Sequence, residues 1–407
     1  MASWKAAKEA AVANHDGSSV LDVLTISAVA PLCFGLRLEL ARRGWSGALL
    51  DVAVVVAPLA FVLTTGCDAA LAVACGAGAC LAVAARGAPP PRAAGDPAAD
   101  VRLFRCGQAV ATSVCILAVD FPAFPRRFCK TETFGVSLMD AGAGSFAFGN
   151  GLASRAARGR PPSLRRGAPL AALACLRAGA VWACGYPEHV TEYGAHWNFF
   201  ATAAAVDVAG ALLKNVPPAA AAAVCAAAAA AVAARAGPWV LSDAPRDSLL
   251  AANREGLASL PGYACLHFSA VALKPTVDAC LRRRDWPGLA ALSGACFAAA
   301  AALGPPSRRL ANPAYCAVTL GLNVALLAAF ARCNRGVADG RSPLLAAVDG
   351  DLLAWFLVAN ATCGLLNLAV DTLAVESGVV AVLCARSLCD YGAARVVAPL
   401  RRKRPSL

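Results

Sequence analysis

Residues 119–150 read VDFPAFPRRFCKTETFGVSLMDAGAGSFAFGN. Asp120 stands at the end of an apolar run. Pro122 and Pro125 cannot continue a helix, so the chain turns there. The turn carries Arg126, Arg127 and Lys130, and a second apolar run begins at Gly135 and bears another acid, Asp140. Two apolar runs joined by a short cationic loop form the unit whose repetition decides the fold class.

Working outward, the 407-residue chain is 59% hydrophobic and 15% charged, with a mean hydropathy of +0.60. Soluble domains carry about 25% charged residues, so this chain is too apolar for that class. Alanine is a weak hydrophobe, so Leu, Val, Ile, Phe and Cys carry the reading. A helix that crosses a bilayer needs about 20 mostly apolar residues, with its backbone groups bonded internally. Such runs lie at 20–36, 46–65, 67–85, 103–120, 135–153, 167–185, 197–213, 216–234, 256–273, 288–304, 311–331, 351–369 and 371–388. The fold expected is all-α, a polytopic integral membrane protein with about 13 transmembrane helices in one bundle. A single membrane-embedded domain spans 1–407, with a short polar N-terminus at 1–19 and a basic tail at 389–407.

Lys5, Lys8, Glu9, His15 and Asp16 precede the first run, which is expected to act as an uncleaved insertion signal. The 18 cysteines are scattered within the runs and form no paired C-x-x-C set. They read as small buried hydrophobes, with neither a disulfide framework nor a zinc site.

The net charge of +12 speaks first to topology, not to nucleic acid. Alternating the loops places 25 Lys and Arg on the side of the C-terminal tail and 9 on the other. The tail is therefore expected in the cytosol and the N-terminus in the lumen. The Arg126–Lys130 loop then faces away from the cytosol, against the charge trend, which points to cations held there by function.

Four ionisable residues fall at membrane depth, Asp120, Asp140, Arg177 and Asp207, and such residues are functional candidates. His189, Glu192, His196, Trp197 and Asn198 cluster in EHVTEYGAHWNFF (188–200), either lining a site or anchoring the chain at the interface. The small residues of 135–153 fit close helix packing or the wall of a substrate channel. Neither G-x-S-x-G nor a phosphate-binding loop occurs, so hydrolase and ATPase readings lack support. A carboxylate beside a cation in a partly dry site serves as a general base for a hydroxyl, and the cation steadies a developing oxyanion. The same pairing equally fits a structural ion pair.

The quoted stretch resembles the signature of the GPI-anchored wall transfer protein family, known in animals as phosphatidylinositol-glycan class W. TEYGAHWNFF (191–200), NREGLASLPGY (253–263), SRRLAN (307–312) and LLAWFLVANATCGLLNLAVDTLAV (352–375) match in the same order, so the resemblance runs from about residue 20 to 388. It implies a multi-pass enzyme of the endoplasmic reticulum membrane. That enzyme moves a fatty acyl chain from acyl-CoA, expected to be palmitoyl-CoA, to the inositol of glucosaminyl-phosphatidylinositol during GPI-anchor synthesis. The implied partners are those two substrates and membrane lipids, with no nucleic acid, no metal and no permanently bound cofactor.

By the same resemblance Asp120 and Lys130 are catalytic: Asp120 is the base, and Lys130 orients it or stabilises the thioester oxyanion. Arg126, Arg127, Thr131, Glu132, Asp140, Asn150, His196, Asn198, Asn253 and Glu255 are expected to bind substrate. Arg155, Arg158, Arg160, Arg165 and Arg166 are expected to attract CoA phosphates at the cytosolic mouth. Two competing readings are a membrane-bound O-acyltransferase whose base is His196 or His267, and a transporter of lipid or solute.

Overall fold

The structure, a computed structural model, describes residues 2–13, 15–86, 95–160, 167–186, 189–334 and 342–402, with side chains placed within 5–397 of that set. Helices follow one another as α1 (Ala2–Val12), α2 (Val20–Arg42), α3 (Ala48–Asp51), α4 (Ala57–Val62), α5 (Ala70–Ala84), α6 (Pro97–Ala118), α7 (Leu138–Leu152) and α8 (Gly167–Cys184). They continue as α9 (Phe199–Leu212), α10 (Pro218–Val240), α11 (Leu249–Ala252), α12 (Arg254–Arg283), α13 (Trp286–Leu303), α14 (Pro313–Cys333), α15 (Pro343–Gly350), α16 (Leu352–Ala369) and α17 (Val379–Arg402). A π-helical turn, Val52–Val56, joins α3 to α4. Among the described residues no strand forms, and Ser18 and Val136 share one isolated bridge.

Nine helical segments among the described residues are long and apolar enough to cross a membrane. They are α2, Cys67–Ala84 around α5, α6, α8, α10, α12, α13, α14 and α16. The four other expected spans also fall on helix. Ala48–Val62 and Phe199–Leu212 are apolar but short, and α7 has 15 residues. The last expected span, 371–388, is displaced: its first residues form a 3₁₀ turn at Thr372–Ala374, and α17 runs on into the expected tail, as far as Arg402. Glu376, Ser377 and Gly378, the last at φ 75°, stop a helix from spanning that link. The protein is all-α and multi-pass.

Local sequence sets the helix starts. Asp96 accepts hydrogen bonds from the backbone N–H groups of Ala98 and Ala99, with Pro97 at the first helical position of α6. Ser137 caps α7 through the N–H of Asp140, and Asp351 caps α16 through that of Ala354.

The chain divides into two compact units. One comprises residues through Val20, Arg127–Ala279 and Pro287–Val324, and the other Leu21–Arg126, Cys280–Trp286 and from Ala325 onward. In the second unit α16 packs on α6, and α17 packs on α16, α4, α15 and α6. Phe330 meets Phe34 and Phe104 edge-on, at centroid distances of 5.8 and 6.2 Å. A buried ion pair of Arg37 with Asp51 ties α2 to α3, and Asp51 also accepts from Ser342 Oγ at 3.0 Å and Leu344 N at 2.7 Å. Charges taken out of water persist only when paired and bonded in this way.

In the first unit α8 lies against α9. A core gathers Ala147 of α7, Val206 of α9, Ala221 and Cys225 of α10, Tyr263–Leu266 and Phe268 of α12, and Tyr315 and Cys316 of α14. The small residues of α7 mainly serve this packing. A Cβ on Gly144 would lie 2.7 Å from Thr319 Cγ2 and 2.8 Å from Tyr315 Oη. One on Gly151 would lie 2.5 Å from the His267 carbonyl oxygen. Gly142 faces open space. Gly151→Val is therefore expected to cost about 1–3 kcal/mol through overpacking against a main-chain atom, while Gly142→Ala is tolerated. Thermal unfolding in detergent checks both, with only the first lowering the midpoint.

Candidate active site

The second unit holds Asp120. Helix α6 ends at Val119, and the main-chain oxygens freed there are taken up locally. Arg126 donates from Nη1 to the Val119 carbonyl at 2.9 Å and from Nη2 to that of Phe121 at 2.7 Å. Arg126 thus closes the proline turn that sets the direction of Asp120. The Asp120 carboxylate Oδ2 accepts from Asn367 Nδ2 at 2.7 Å, and Cys363 Sγ lies 3.9 Å from the same oxygen. The Thr372 hydroxyl lies 3.0 Å from the Asp120 carbonyl oxygen and 3.2 Å from Asn367 Oδ1. Asn367 and Thr372 are buried, and Asp120 is half-buried.

Along the same helices, Arg386 of α17 pairs with Asp390 at 2.9 Å and donates to Thr362 Oγ1 at 3.1 Å. It also donates to the carbonyls of Ser113 on α6 and Ala359 on α16. Its guanidinium therefore joins three helices.

The first unit holds Lys130 and most of the other expected residues. The Lys130 ammonium pairs with Glu192, both side chains being half-buried. Next to it, Thr131 donates its N–H to both Asp140 oxygens at 3.2 Å and its hydroxyl to Asp140 Oδ2 at 2.9 Å. Arg308 completes the set, donating from Nε to Asp140 Oδ1 at 2.9 Å and from Nη1 to the Glu192 carbonyl at 3.2 Å. A charge-alternating row results: Lys130, Glu192, Arg308, Asp140.

Beside it, Arg309 donates to Glu132 Oε1 at 3.2 Å and to Glu255 Oε1 at 3.0 Å. Arg246 donates to both Glu255 oxygens, at 3.0 and 2.5 Å.

A tight turn delivers the two arginines. Ala311 N–H bonds the Arg308 carbonyl at 3.0 Å, and Asn312 Oδ1 accepts from Ser307 N and Tyr315 N, both at 3.0 Å. Ala311 sits at φ 42°, a left-handed conformation that is strained for a residue with a Cβ. The loop 131–136 is held on two sides. Glu132 N bonds the His15 carbonyl at 3.1 Å, Gly135 N bonds that of Pro306 at 2.9 Å, and Ser307 Oγ bonds that of Thr133 at 2.6 Å. Gly135 is at φ 131° against Asp16, where a side chain does not fit.

Burial alone would raise the Glu192 carboxyl, but Lys130 and Arg308 beside it hold it below its ordinary 4.5. A depressed carboxylate contributes stability above its unfolded pKa and loses it as pH falls through the folded value. The Lys130–Glu192 pair is accordingly expected to survive from neutral pH to below 4.5 and to fail only in stronger acid. Thermal midpoints measured from pH 7 to pH 3 check this, with Glu192→Gln removing that part of the acid loss.

The remaining expected residues are placed as follows. Asn198 caps α9 through Phe200 N at 3.1 Å and donates to the Ala174 carbonyl of α8 at 2.9 Å. Asn253 accepts from His196 N at 2.9 Å and donates to the Leu249 carbonyl at 2.9 Å. Arg127, Asn150 and His196 are exposed, with the Arg127 guanidinium 5.0 Å from the Phe128 ring centroid. Arg158 and Arg160 are exposed, while Arg165 and Arg166 lie outside the described residues. Thr131, Glu132, Asp140, Asn198, Asn253 and Glu255 thus knit loops together.

Sequence reading passed over Glu192 as a named site residue, and over Arg308, Arg309, Asn367 and Arg386. Glu192 lies in TEYGAHWNFF, Arg308 and Arg309 in SRRLAN and Asn367 in the 352–375 match, so the motifs held the signal without the roles.

The family model described as GWT1 matches residues 4–394. The chain belongs to the GWT1 family. It is 30% identical over 447 residues to GPI-anchored wall transfer protein 1 of Eremothecium gossypii, covering 92% of this chain and 93% of that relative. It is 30% identical over 475 residues to glucosaminyl-phosphatidylinositol-acyltransferase PIGW of Bos taurus, covering 91% and 93%. An Arabidopsis thaliana protein named only as uncharacterized is 34% identical over 296 residues, 68% of each chain.

Proposed function

We propose that this GWT1-family chain is an acyltransferase of GPI-anchor biosynthesis that acylates the inositol of glucosaminyl-phosphatidylinositol. The observation that carries the reading is the family match over residues 4–394, joined to a relative of nearly equal extent whose name states that reaction. The donor in this reading is acyl-CoA, and the setting is the endoplasmic reticulum membrane with the tail in the cytosol and the N-terminus in the lumen.

Asp120 takes the proton from an inositol hydroxyl as that oxygen attacks the thioester carbonyl carbon. The carbonyl oxygen becomes an oxyanion, which a nearby positive charge steadies. That attack forms the ester C–O bond; collapse restores the carbonyl, breaks the C–S bond and expels CoA as its thiolate, which takes up the proton held by Asp120. The polar setting of half-buried Asp120 supports its role, because a carboxylate that accepts the Asn367 amide is already oriented before substrate arrives. The exposed Arg158 and Arg160 offer charge to the phosphates of CoA.

Membranes containing the protein, given labelled acyl-CoA and glucosaminyl-phosphatidylinositol, should form a labelled lipid that resists inositol-specific phospholipase. Movement of lipid without consumption of acyl-CoA would instead establish a transporter.

A further inference from the structure

The residues that hold Asp120 come from far along the chain, on α16 and the 3₁₀ turn after it. Cys363 and Asn367 are four apart, so they lie one above the other on a single face of α16. That face meets the end of α6: Cys363 Sγ lies 3.4 Å from the Ile116 carbonyl and 3.9 Å from Asp120 Oδ2, and Asn367 Nδ2 reaches Asp120 Oδ2 at 2.7 Å.

An amide is ambiguous by itself, since either end can face a neighbour. Here the Thr372 hydroxyl stands 3.2 Å from Asn367 Oδ1. An ionised carboxylate only accepts, so it takes the NH₂ end and leaves Oδ1 toward the hydroxyl. The same hydroxyl reaches the Asp120 main-chain oxygen at 3.0 Å, so one side chain steadies both members of the pair. Thr372 and Asn367 are 0% and 3% exposed, so this bonding takes place away from water, where hydrogen bonds gain strength.

About two turns back on each helix, Arg386 bonds the carbonyls of Ser113 and Ala359. Helices α6 and α16 are thereby fixed in mutual register, and the carboxylate and the amide meet at a set height.

We propose that Asn367 is a positioning residue for the Asp120 carboxylate, turning it to one orientation from which it accepts the substrate proton. Thr372 stands within hydrogen-bond reach of the amide's other end. The proposal rests on the reading of Asp120 as the base. A helix-to-helix staple with no part in the reaction is the competing account, and the two differ in what the rate does.

The test measures transfer from labelled acyl-CoA in membranes carrying the full-length protein, with kcat, KM for each substrate and the pH profile of kcat. The variants are Asn367→Leu, Asn367→Gln, Asn367→Asp and, as reference, Asp120→Asn. Leu keeps the volume and removes the donor. It is expected to lower kcat by up to about 100-fold, the effect of a misdirected reacting group, with both KM values within a few-fold. Gln, which keeps the donor, recovers part of the loss.

Asn367→Asp puts a second carboxylate beside the first, and like charges disfavour joint ionisation, so the acid limb of its profile moves to higher pH. A staple alone would change the amount of folded protein and leave kcat per folded molecule unchanged in Asn367→Leu. Should Asn367→Leu fail to fold, the Gln and Asp variants carry the test.

Loss of activity in Asp120→Asn together with near-normal kcat in Asn367→Leu overturns the positioning role and leaves the base assignment intact. An unmoved acid limb in Asn367→Asp overturns it equally. Full activity in Asp120→Asn removes the base assignment and the proposal with it.

Discussion

Asp120→Asn is expected to lower the rate of acyl transfer by about 10²- to 10⁴-fold, the range that a general base contributes. The substitution is nearly isosteric, and its carbonyl oxygen can still accept the Asn367 amide that Asp120 accepts at 2.7 Å. Arg126 closes its turn on the main-chain oxygens of Val119 and Phe121, which the substitution leaves in place. Folded protein should therefore be recovered in normal amount while proton acceptance is gone. Single-turnover transfer from labelled acyl-CoA, normalised to the amount of folded protein, gives the answer. His196→Ala and His267→Ala belong in the same assay. Loss of transfer in either, with Asp120→Asn active, would falsify the carboxylate mechanism in favour of an imidazole base.

The largest structural effect is expected at Arg308. Burial opposes its charge, yet Asp140 and Glu192 outweigh burial and hold its pKa above the ordinary arginine value, so the cation persists at any working pH. Arg308→Met leaves Asp140 buried without its cation, and breaking one side of a buried pair costs about 3–5 kcal/mol. For a unit of this size that corresponds to a fall of roughly 6–20 °C in the unfolding midpoint. Adding Asp140→Leu removes the stranded charge and should restore much of the loss, since a buried pair replaced by apolar groups is often close to neutral. Thermal unfolding of the two single variants and the double variant measures the coupling. A double variant no more stable than the sum of the singles would show that the pair is not the source of the effect.

Much of the fold was legible because membrane insertion imposes one dominant requirement, a long apolar run with internally bonded backbone. Every run read as a span falls on helix over most of its length, the last only from Val379 onward. Misreading arose where hydropathy competes with local backbone chemistry. Residues 371–378 look apolar enough to begin a span, but an Asx-capped 3₁₀ turn forms there, and the helix starts at Val379.

The site was legible only in part. Asp120 and Lys130 stand out because charge beside apolar sequence is rare. Their partners do not: Asn367 lies 247 positions from Asp120, and Glu192 lies on a loop rich in polar residues. Residue type alone also fails to separate groups that face a substrate from groups that tie loops together. Asp140, Asn253 and Glu255 are acids or amides in otherwise apolar sequence, as a ligand-binding group would be. The structure commits their bonding to Thr131 and Arg308, to His196 and Leu249, and to Arg246 and Arg309 respectively.

The contacts of Arg386 with Ser113 and Ala359 use peptide oxygens, which every amino acid possesses. Side-chain identity at 113 and 359 is therefore free to drift over evolutionary time without loosening that rivet. Spacing is not free. One residue added between 113 and 120 would swing the carboxylate by about 100° around its helix axis, away from α16. Descendants of this sequence should accordingly vary in spelling along 114–119 while keeping its length constant.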